Sequence, residues 1–499
     1  MDIIAAFNKA LKHQEAGELE LAVEGYREVI KVRPDIAVTY SNIGIALSAL
    51  GRTDEAISYL ENAMRIDSTF ISAYINIIPI LRNVGRLEEA EVMCWRLMEI
   101  SPNDGAAHSM LIQILVEREK FEAAIHIARS APPVCKDTLN YWLSYGSALS
   151  GIGLRGAEET VEAFRKAISL NPTRDLSHFG LAEALLRQGD FEEGWVEYEW
   201  VLPCHDYPKP IWRGEDLRGK TILIYKDLGF AGGFGDVFHL VRYIPMVEAL
   251  GARVILMVPI TVMRLLATTF PTVTVVGRIG TPLDFDFHTT LMRLPRILGT
   301  TLETIPTAVP YLQPASADVE RWRERLAGLS GLKVGLVWAG QRRLNEHGSE
   351  RDDYRHTTLS KLERLLTIEG VSFVSLQTGP QAREIHSLPD PAQIYNPMNE
   401  VNDFADTAAV VANLDLVISV DTSVVHLSGA LNKPVWILMA YNACGWRWMM
   451  EREDTPWYPT GRIFRQKAAG AWSEVATRVE RELRKVARGE IPLAGTKPR

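Results

Sequence analysis

Two hydrophobic rhythms divide the chain. From residue 3 to about residue 204, apolar positions recur at the three-and-four spacing of helices, in paired runs parted by small or breaking residues. From Thr221 the rhythm changes to short unbroken apolar runs, the pattern of strands buried on both faces. Such strands are predicted at Thr221–Tyr225, Arg253–Val258, Val273–Val276, Phe285–Phe287, Lys333–Trp338, Val371–Leu376, Leu414–Val420 and Val435–Met439. Helical spacing falls between them, at Val237–Leu250, Ala317–Leu329, Leu359–Leu366, Phe404–Ala412 and Val424–Leu431. Strands alternating with helices predict parallel sheets. Pro203, Pro208, Pro210, Gly214 and Gly219 mark the crossing between the two rhythms, and Pro306, Pro310 and Pro314 mark a second crossing inside the later one.

The first rhythm repeats with a period of 34 residues: Gly17, Gly51 and Gly85 keep it, as do Ala22, Ala56, Ala90 and Ala124, and Pro34, Ser68 and Pro102. That period is the mark of tetratricopeptide repeats, paired helices that cross where a residue is small. The glycines end first helices, and Pro34 and Pro102 stop second helices. A fourth unit has Glu119 in the glycine position. A fifth runs from Tyr141 to Pro172, and a last one carries Gly189, Trp195, Tyr198 and Trp200. About six units are expected over residues 1–204. Single units cannot bury their apolar faces, so they stack into a groove for a protein or peptide; the other readings are a scaffold for the second half or a homodimer contact. Asn42 and Asn76 share one repeat position and form a candidate ladder for a peptide backbone.

Composition narrows the function. A net charge of −8 with 23% charged residues provides no global basic field, which argues against nucleic acid as the main partner. Cys94, Cys135, Cys204 and Cys444 are scattered, without zinc or disulfide spacing. The first eighteen residues mix acidic and polar positions where a signal peptide would be apolar, and no run is long enough to span a membrane. A cytoplasmic protein is expected.

The candidate chemistry sits where strands end. After the strand closing at Val420 come Asp421, Thr422 and Ser423, then helical spacing that includes His426. A helix opening beyond a parallel strand presents free amides and partial positive charge, so the turn suits a diphosphate; the plainer reading is a helix cap. After Thr221–Tyr225 comes a loop with Gly229, Gly232, Gly233 and Gly235, which ends on Asp236. Asp236 there is either an N-cap or a general base. Arg342, Arg343, Arg351, Arg355 and His356 follow the strand at Lys333–Trp338 and supply local positive charge. Asp284-Phe285-Asp286 has the form of a metal-diphosphate motif, but its flanks read as an alternating strand end, and no metal site is assigned to it. His288 follows it and is expected to point into the cleft.

WAG (338–340), SLQTGP (375–380), DFADTAAVVANLDLVISVDTSVVHLSGALNKPVW (403–436) and WRWMMEREDTPWYP (446–459) together resemble bacterial heptosyltransferase-like glycosyltransferases, and more closely those that carry a tetratricopeptide array. GGFGDVFHLVRYIP (232–245) fits the family's G-x-G-D loop, although GFAGGFGD is longer than usual and Cys444-Gly445 replaces a more polar pair. The resemblance implies a GT-B fold of two Rossmann-like domains: 221–315 on the acceptor side and 316–470 on the nucleotide-sugar side. Residues 205–220 would link them to the repeats, and 471–499 would form a closing helix and tail. It implies Asp236 as the base. It places Gly233, Gly235, Arg355, Gln377, Asp421, Thr422, Ser423 and His426 with the donor, and His239 and His288 with the acceptor. The implied reaction is inverting and metal-independent, with no cofactor beyond the nucleotide-sugar, on a protein acceptor such as a flagellin. The alternatives are a non-catalytic adaptor and a UDP-GlcNAc-dependent protein O-glycosyltransferase.

Overall fold

The computed structural model describes residues 2–202, 207–226, 233–277, 283–340, 355–441 and 445–493. Its contacts divide the described chain into two compact units, which part between Ser177 and His178.

The first unit is a run of helix pairs: α1 (Ile3–Glu15) with α2 (Leu19–Val32), α3 (Ala37–Ala49) with α4 (Thr53–Ile66), α5 (Ile71–Asn83) with α6 (Leu87–Ile100), α7 (Gly105–Glu117) with α8 (Phe121–Ser130), and α9 (Leu139–Gly151) with α10 (Ala157–Leu170). Ala22, Ala56, Ala90 and Ala124 are fully buried, as the period requires. Gly44 is small of necessity, because a Cβ there would lie 2.7 Å from Leu60 Cγ. Gly17, Gly51 and Gly85 turn the chain at φ of +77°, +76° and +80°. In the fourth pair Glu119 holds the same left-handed turn at φ +57°, so the geometry of the repeat survives the loss of its glycine. Arg52 pairs with Glu55 and Arg86 with Glu89, one period apart. Asn42 does not stand free on the groove, since its amide donates to Tyr26 Oη at 3.1 Å. Cys94 is buried, and burial pushes its thiol up to about 12.

The second unit begins inside the sixth pair, α11 (Asp175–Gln188) and α12 (Phe191–Tyr198). Its aromatic residues explain why the division falls earlier than the proline-rich crossing. Trp195 Nε1 donates to the Thr300 carbonyl at 3.1 Å and its ring meets Trp446 edge-on at 4.9 Å, while Phe191 stacks on Trp457. Arg293 bonds Glu199 at 2.6 Å and the Leu202 carbonyl at 3.1 Å.

Two parallel sheets follow. The first contains β1 (Thr221–Tyr225), β2 (Arg253–Met257), β3 (Thr274–Val276) and β4 (Phe287–Thr290) in the order β3-β2-β1-β4. Its helices are α13 (Phe234–Leu240), α14 (Ile244–Ala249), α15 (Ile260–Thr269) and α16 (Leu294–Ile297). The single helix expected over Val237–Leu250 is broken at residues 241–243, just ahead of Pro245. The strand expected at Phe285–Phe287 begins at Phe287 instead, because Asp286 turns its carboxylate back to accept from the Thr221 amide at 2.8 Å. After α17 (Ser316–Arg325) comes the second sheet: β5 (Leu332–Val337), β6 (Val371–Ser375), β7 (Ile394–Tyr395), β8 (Leu416–Val420), β9 (Val435–Met439) and β10 (Gly461–Arg465). Its order is β10-β9-β8-β5-β6-β7. α18 (Leu359–Leu362), α19 (Phe404–Ala412), α20 (Ser423–Ala430) and α21 (Trp472–Ala487) complete the unit. Among the described residues no helix is long and apolar enough to cross a membrane.

Candidate functional site

The order of the second sheet reverses between β5 and β8, the first of the chain's two runs going one way from that seam and the second the other way. In parallel sheets the carboxyl ends of the two strands at such a reversal are the place where ligands bind. Gly340 follows β5 and Asp421 follows β8. A Cβ on Gly340 would lie 3.1 Å from His356 Nε2 and 3.5 Å from Thr422 Cγ2, so the ends of both strands and the start of the segment after 354 converge. Thr422 occupies the N-cap of α20, yet its side chain caps no amide. Its hydroxyl bonds Ser419 Oγ at 3.0 Å instead. The opening of α20 thus keeps amide donors that no side-chain cap covers.

The other sheet brings α13 against this point. Gly235 passes so near His426 that a Cβ would lie 2.6 Å from its Cδ2, so no larger residue fits the crossing of α13 and α20. One residue on, Asp236 accepts from Arg447 Nη2. Burial pushes the Asp421 carboxyl up, opposed by a hydrogen bond from Trp448 and by the charges of Arg355 and Arg447, while Asp236 raises it further. Asp236 and Asp421 therefore share one field with Arg355 and Arg447. Their side chains are 22% and 21% exposed, and each already has a partner, Arg447 on Asp236 and Trp448 on Asp421.

Beneath them lies a buried aromatic layer. Tyr458 Oη sits 2.8 Å from His426 Nδ1 and 3.0 Å from His239 Nδ1. Trp448 stacks on His426, and Trp457 meets His239 edge-on at 4.5 Å. Burial holds both imidazoles well below the usual histidine range, with Arg242 and Arg447 acting the same way, so both are neutral near pH 7. Arg242 pins the layer: it donates to the carbonyls of His239 (2.7 Å), Pro306 (3.0 Å) and Trp457 (3.1 Å) and to Tyr311 Oη (2.9 Å).

The residues singled out from sequence have different fates. Gly235, Asp236, His239, His426, Asp421 and Thr422 gather, with Ser423 opening α20 and Arg355 within charge range. Gly233 is the N-cap of α13 in extended conformation. Gln377 lies next to β5, but its amide is consumed by backbone: it accepts from Trp338 and Ala339 and donates to the carbonyls of Ala339 and Thr378. Its side chain fixes the end of β5 and has nothing left for a base. His288 is a correction. It stands beside Leu223 in register, on the sheet face shared by Tyr225, Tyr207 and Phe285, whereas α13 covers the face of Ile222 and Ile224. Strand alternation turns it away from Asp236, and it bonds Tyr225 Oη at 3.2 Å. His239 is fully buried behind Asp236 rather than facing a cleft. Gly229, Gly232, Arg342, Arg343, Arg351, Cys204 and Cys444 lie outside the described residues. Sequence reasoning assigned no role to Arg447, Tyr458, Arg242 or the tryptophans at 446, 448 and 457. The signal was present as three tryptophans and a tyrosine within thirteen residues of one polar stretch.

Comparison with known proteins supports the first unit most directly. The tetratricopeptide repeat model matches residues 36–66. Protein FlbA of Caulobacter vibrioides is 26% identical over 495 residues, 93% of this chain and 76% of FlbA. Human protein O-mannosyl-transferase TMTC3 is 26% identical over 187 residues, 34% of this chain but only 20% of TMTC3. Among solved structures, YrrB, a TPR protein with an unusual peptide-binding site, shares 17% identity and a TM-score of 0.31 over 36% of this chain and 92% of YrrB. MamA shares 20% identity and a TM-score of 0.31 over 34% of this chain and 92% of MamA. The chain joins an array of tetratricopeptide repeats to a parallel-sheet α/β unit, and the likeness to FlbA runs across both.

Proposed function

We propose that the α/β unit is a glycosyltransferase of the GT-B type, its two sheets being the Rossmann-like halves, and that the repeats recruit a protein acceptor. The observation that carries this reading is the meeting of Asp236, at the start of α13, with Asp421 to Ser423, at the start of α20, across the Gly235–His426 contact. The order of the second sheet, with its reversal at β5 and β8, supports a nucleotide site there. FlbA's likeness brings no activity with it, and TMTC3's brings only a transferase class over a third of the chain.

In this reading the donor's diphosphate rests on the uncapped amides of α20, with Arg355 alongside. The acceptor's hydroxyl oxygen forms a bond to the anomeric carbon as the bond from that carbon to the diphosphate oxygen breaks. The proton passes to Asp236, and the nucleoside diphosphate leaves with the electron pair, stabilised by donors already in place. Attack opposite the leaving group inverts the anomeric centre. A well-placed base contributes about 10² to 10⁴-fold. No metal or cofactor is required.

The rival is a repeat adaptor with a sheet unit that performs no chemistry, and the ion pair that occupies Asp236 favours it. Incubation with a panel of nucleotide-sugars, with and without candidate protein acceptors, separates the two through released nucleotide. The transferase reading expects release that falls by about 10²-fold or more in Asp236→Asn. Release that survives this change unaltered removes Asp236 from the mechanism, and no release from any donor supports the adaptor.

A further inference from the structure

The ion pair that engages Asp236 leaves part of Arg447 unspent. Arg447 spends Nη2 on Asp236, while its Nε is buried and has no hydrogen-bond partner among the described residues. Its guanidinium lies 4.1 Å from the centre of the Trp446 ring, which fixes the plane of the fork. The side chain is 13% exposed, and its charge is felt at Asp421, His426 and His239, the groups that surround the opening of α20. An unspent donor on a buried cation is costly unless something else takes it up. A guanidinium carries five donors arranged to grip two oxygens at once, the arrangement that phosphate groups match.

We propose that Arg447 is a shared cation that changes partner during turnover: it holds Asp236 before nucleotide arrives, then turns its fork onto the diphosphate and releases the Asp236 carboxylate to act as base. This rests on the transferase reading above. It makes the base available only when a donor is bound. Water reaching Asp236 earlier meets a carboxylate already engaged, so the exchange guards against premature proton transfer. The site also carries the charges that such an exchange needs: Arg355 and Arg447 both act on Asp421, and Arg187 and Arg447 both act on Glu183.

The test is calorimetric titration of the full chain with UDP, GDP, CDP and ADP and with the matching nucleosides. Arg447→Gln is expected to weaken the preferred diphosphate by about tenfold or more while leaving its nucleoside unaffected. Arg447→Lys, which keeps the charge and loses the fork, should recover part of the affinity. Asp236→Asn, which releases Arg447, should tighten the diphosphate several-fold, and the gain should vanish in the double variant. Diphosphate binding indifferent to Arg447→Gln, or no tightening in Asp236→Asn, overturns the exchange and leaves the transferase reading standing. Failure of the unaltered chain to bind any of the four overturns that reading as well. Thermal unfolding of each variant checks folding; if Arg447→Gln does not fold, the Asp236→Asn result decides alone.

Discussion

The repeat array and the α/β unit treat buried polar groups in opposite ways. In the array, charge pairs near the surface recur with the period, such as Arg52–Glu55 and Arg86–Glu89, a longer-range pair joins Arg118 to Glu91, the buried atoms without partners include the hydroxyls of Thr39 and Ser41, and the crossings are lined by alanine. In the α/β unit, Arg242, His239 and His426 lie deep, tied by bonds that span up to 219 positions. His239 Nε2, Arg447 Nε and the indole nitrogens of Trp446 and Trp457 are buried there without partners among the described residues. Exposed pairs of the first kind each contribute little to stability. Buried groups of the second kind are costly to keep, and such cost concentrates where a ligand or a reaction uses them. The array reads as a surface that meets other proteins, and the α/β unit as a site.

The sharpest way to break this contrast is Arg242→Leu. Three carbonyls and the Tyr311 hydroxyl lose their donor, for a cost of about 3–5 kcal/mol. Hydrogen exchange should show lost protection across α13, α20 and residues 455–458, with the array unchanged from α1 to α9. Equal protection in Arg242→Leu and in the unaltered chain would mean that Arg242 does not pin the layer.

A smaller effect follows from the neutral histidines. A histidine whose folded value is depressed contributes stability that is full above its unfolded value near 6.5 and is lost as pH falls through and below it. The destabilisation caused by His426→Asn should therefore shrink by about 1 kcal/mol between pH 6.5 and 5.5, as the unaltered chain loses what the variant never had. Asp421 and Glu183, held up by burial, work in the opposite sense, losing stability as pH rises, and are present in both proteins, so the difference isolates the imidazole. Urea unfolding followed by tryptophan fluorescence reads it. A difference that stays constant with pH would show that His426 titrates normally.

The smallest effect lies in the array. Glu119→Gly relieves a left-handed turn that its own repeat period assigns to glycine and should gain about 0.5–1 kcal/mol. A loss of stability on thermal unfolding would show that the Glu119 side chain matters more than its backbone.

These differences also set what could be read from sequence. The array was legible because each structural demand recurs at one spacing: a small residue at 22, 56, 90 and 124, a left-handed turn at 17, 51 and 85. Strands were legible because burial on both faces leaves unbroken apolar runs, and β1, β5, β8 and β9 fall where those runs do. Asp236 and Asp421 could be singled out because each follows such a strand. Their partners could not. Arg447 is 211 positions from Asp236, in a stretch whose tryptophans and charges carry no periodicity. His288 went astray because a single strand gives alternation but not which face meets α13. Gln377 was placed beside the right strand, yet no local pattern shows that a buried amide will be used up by backbone.

The central claim is that a nucleoside diphosphate seats at the opening of α20, facing Asp236. A crystal structure of the chain with the tightest-binding nucleoside diphosphate tests it most directly. The account predicts phosphate density within hydrogen-bonding distance of the Thr422 and Ser423 amides, with the Arg447 guanidinium turned from Asp236 toward it. Density seated elsewhere in the unit, with Arg447 still on Asp236, would contradict it.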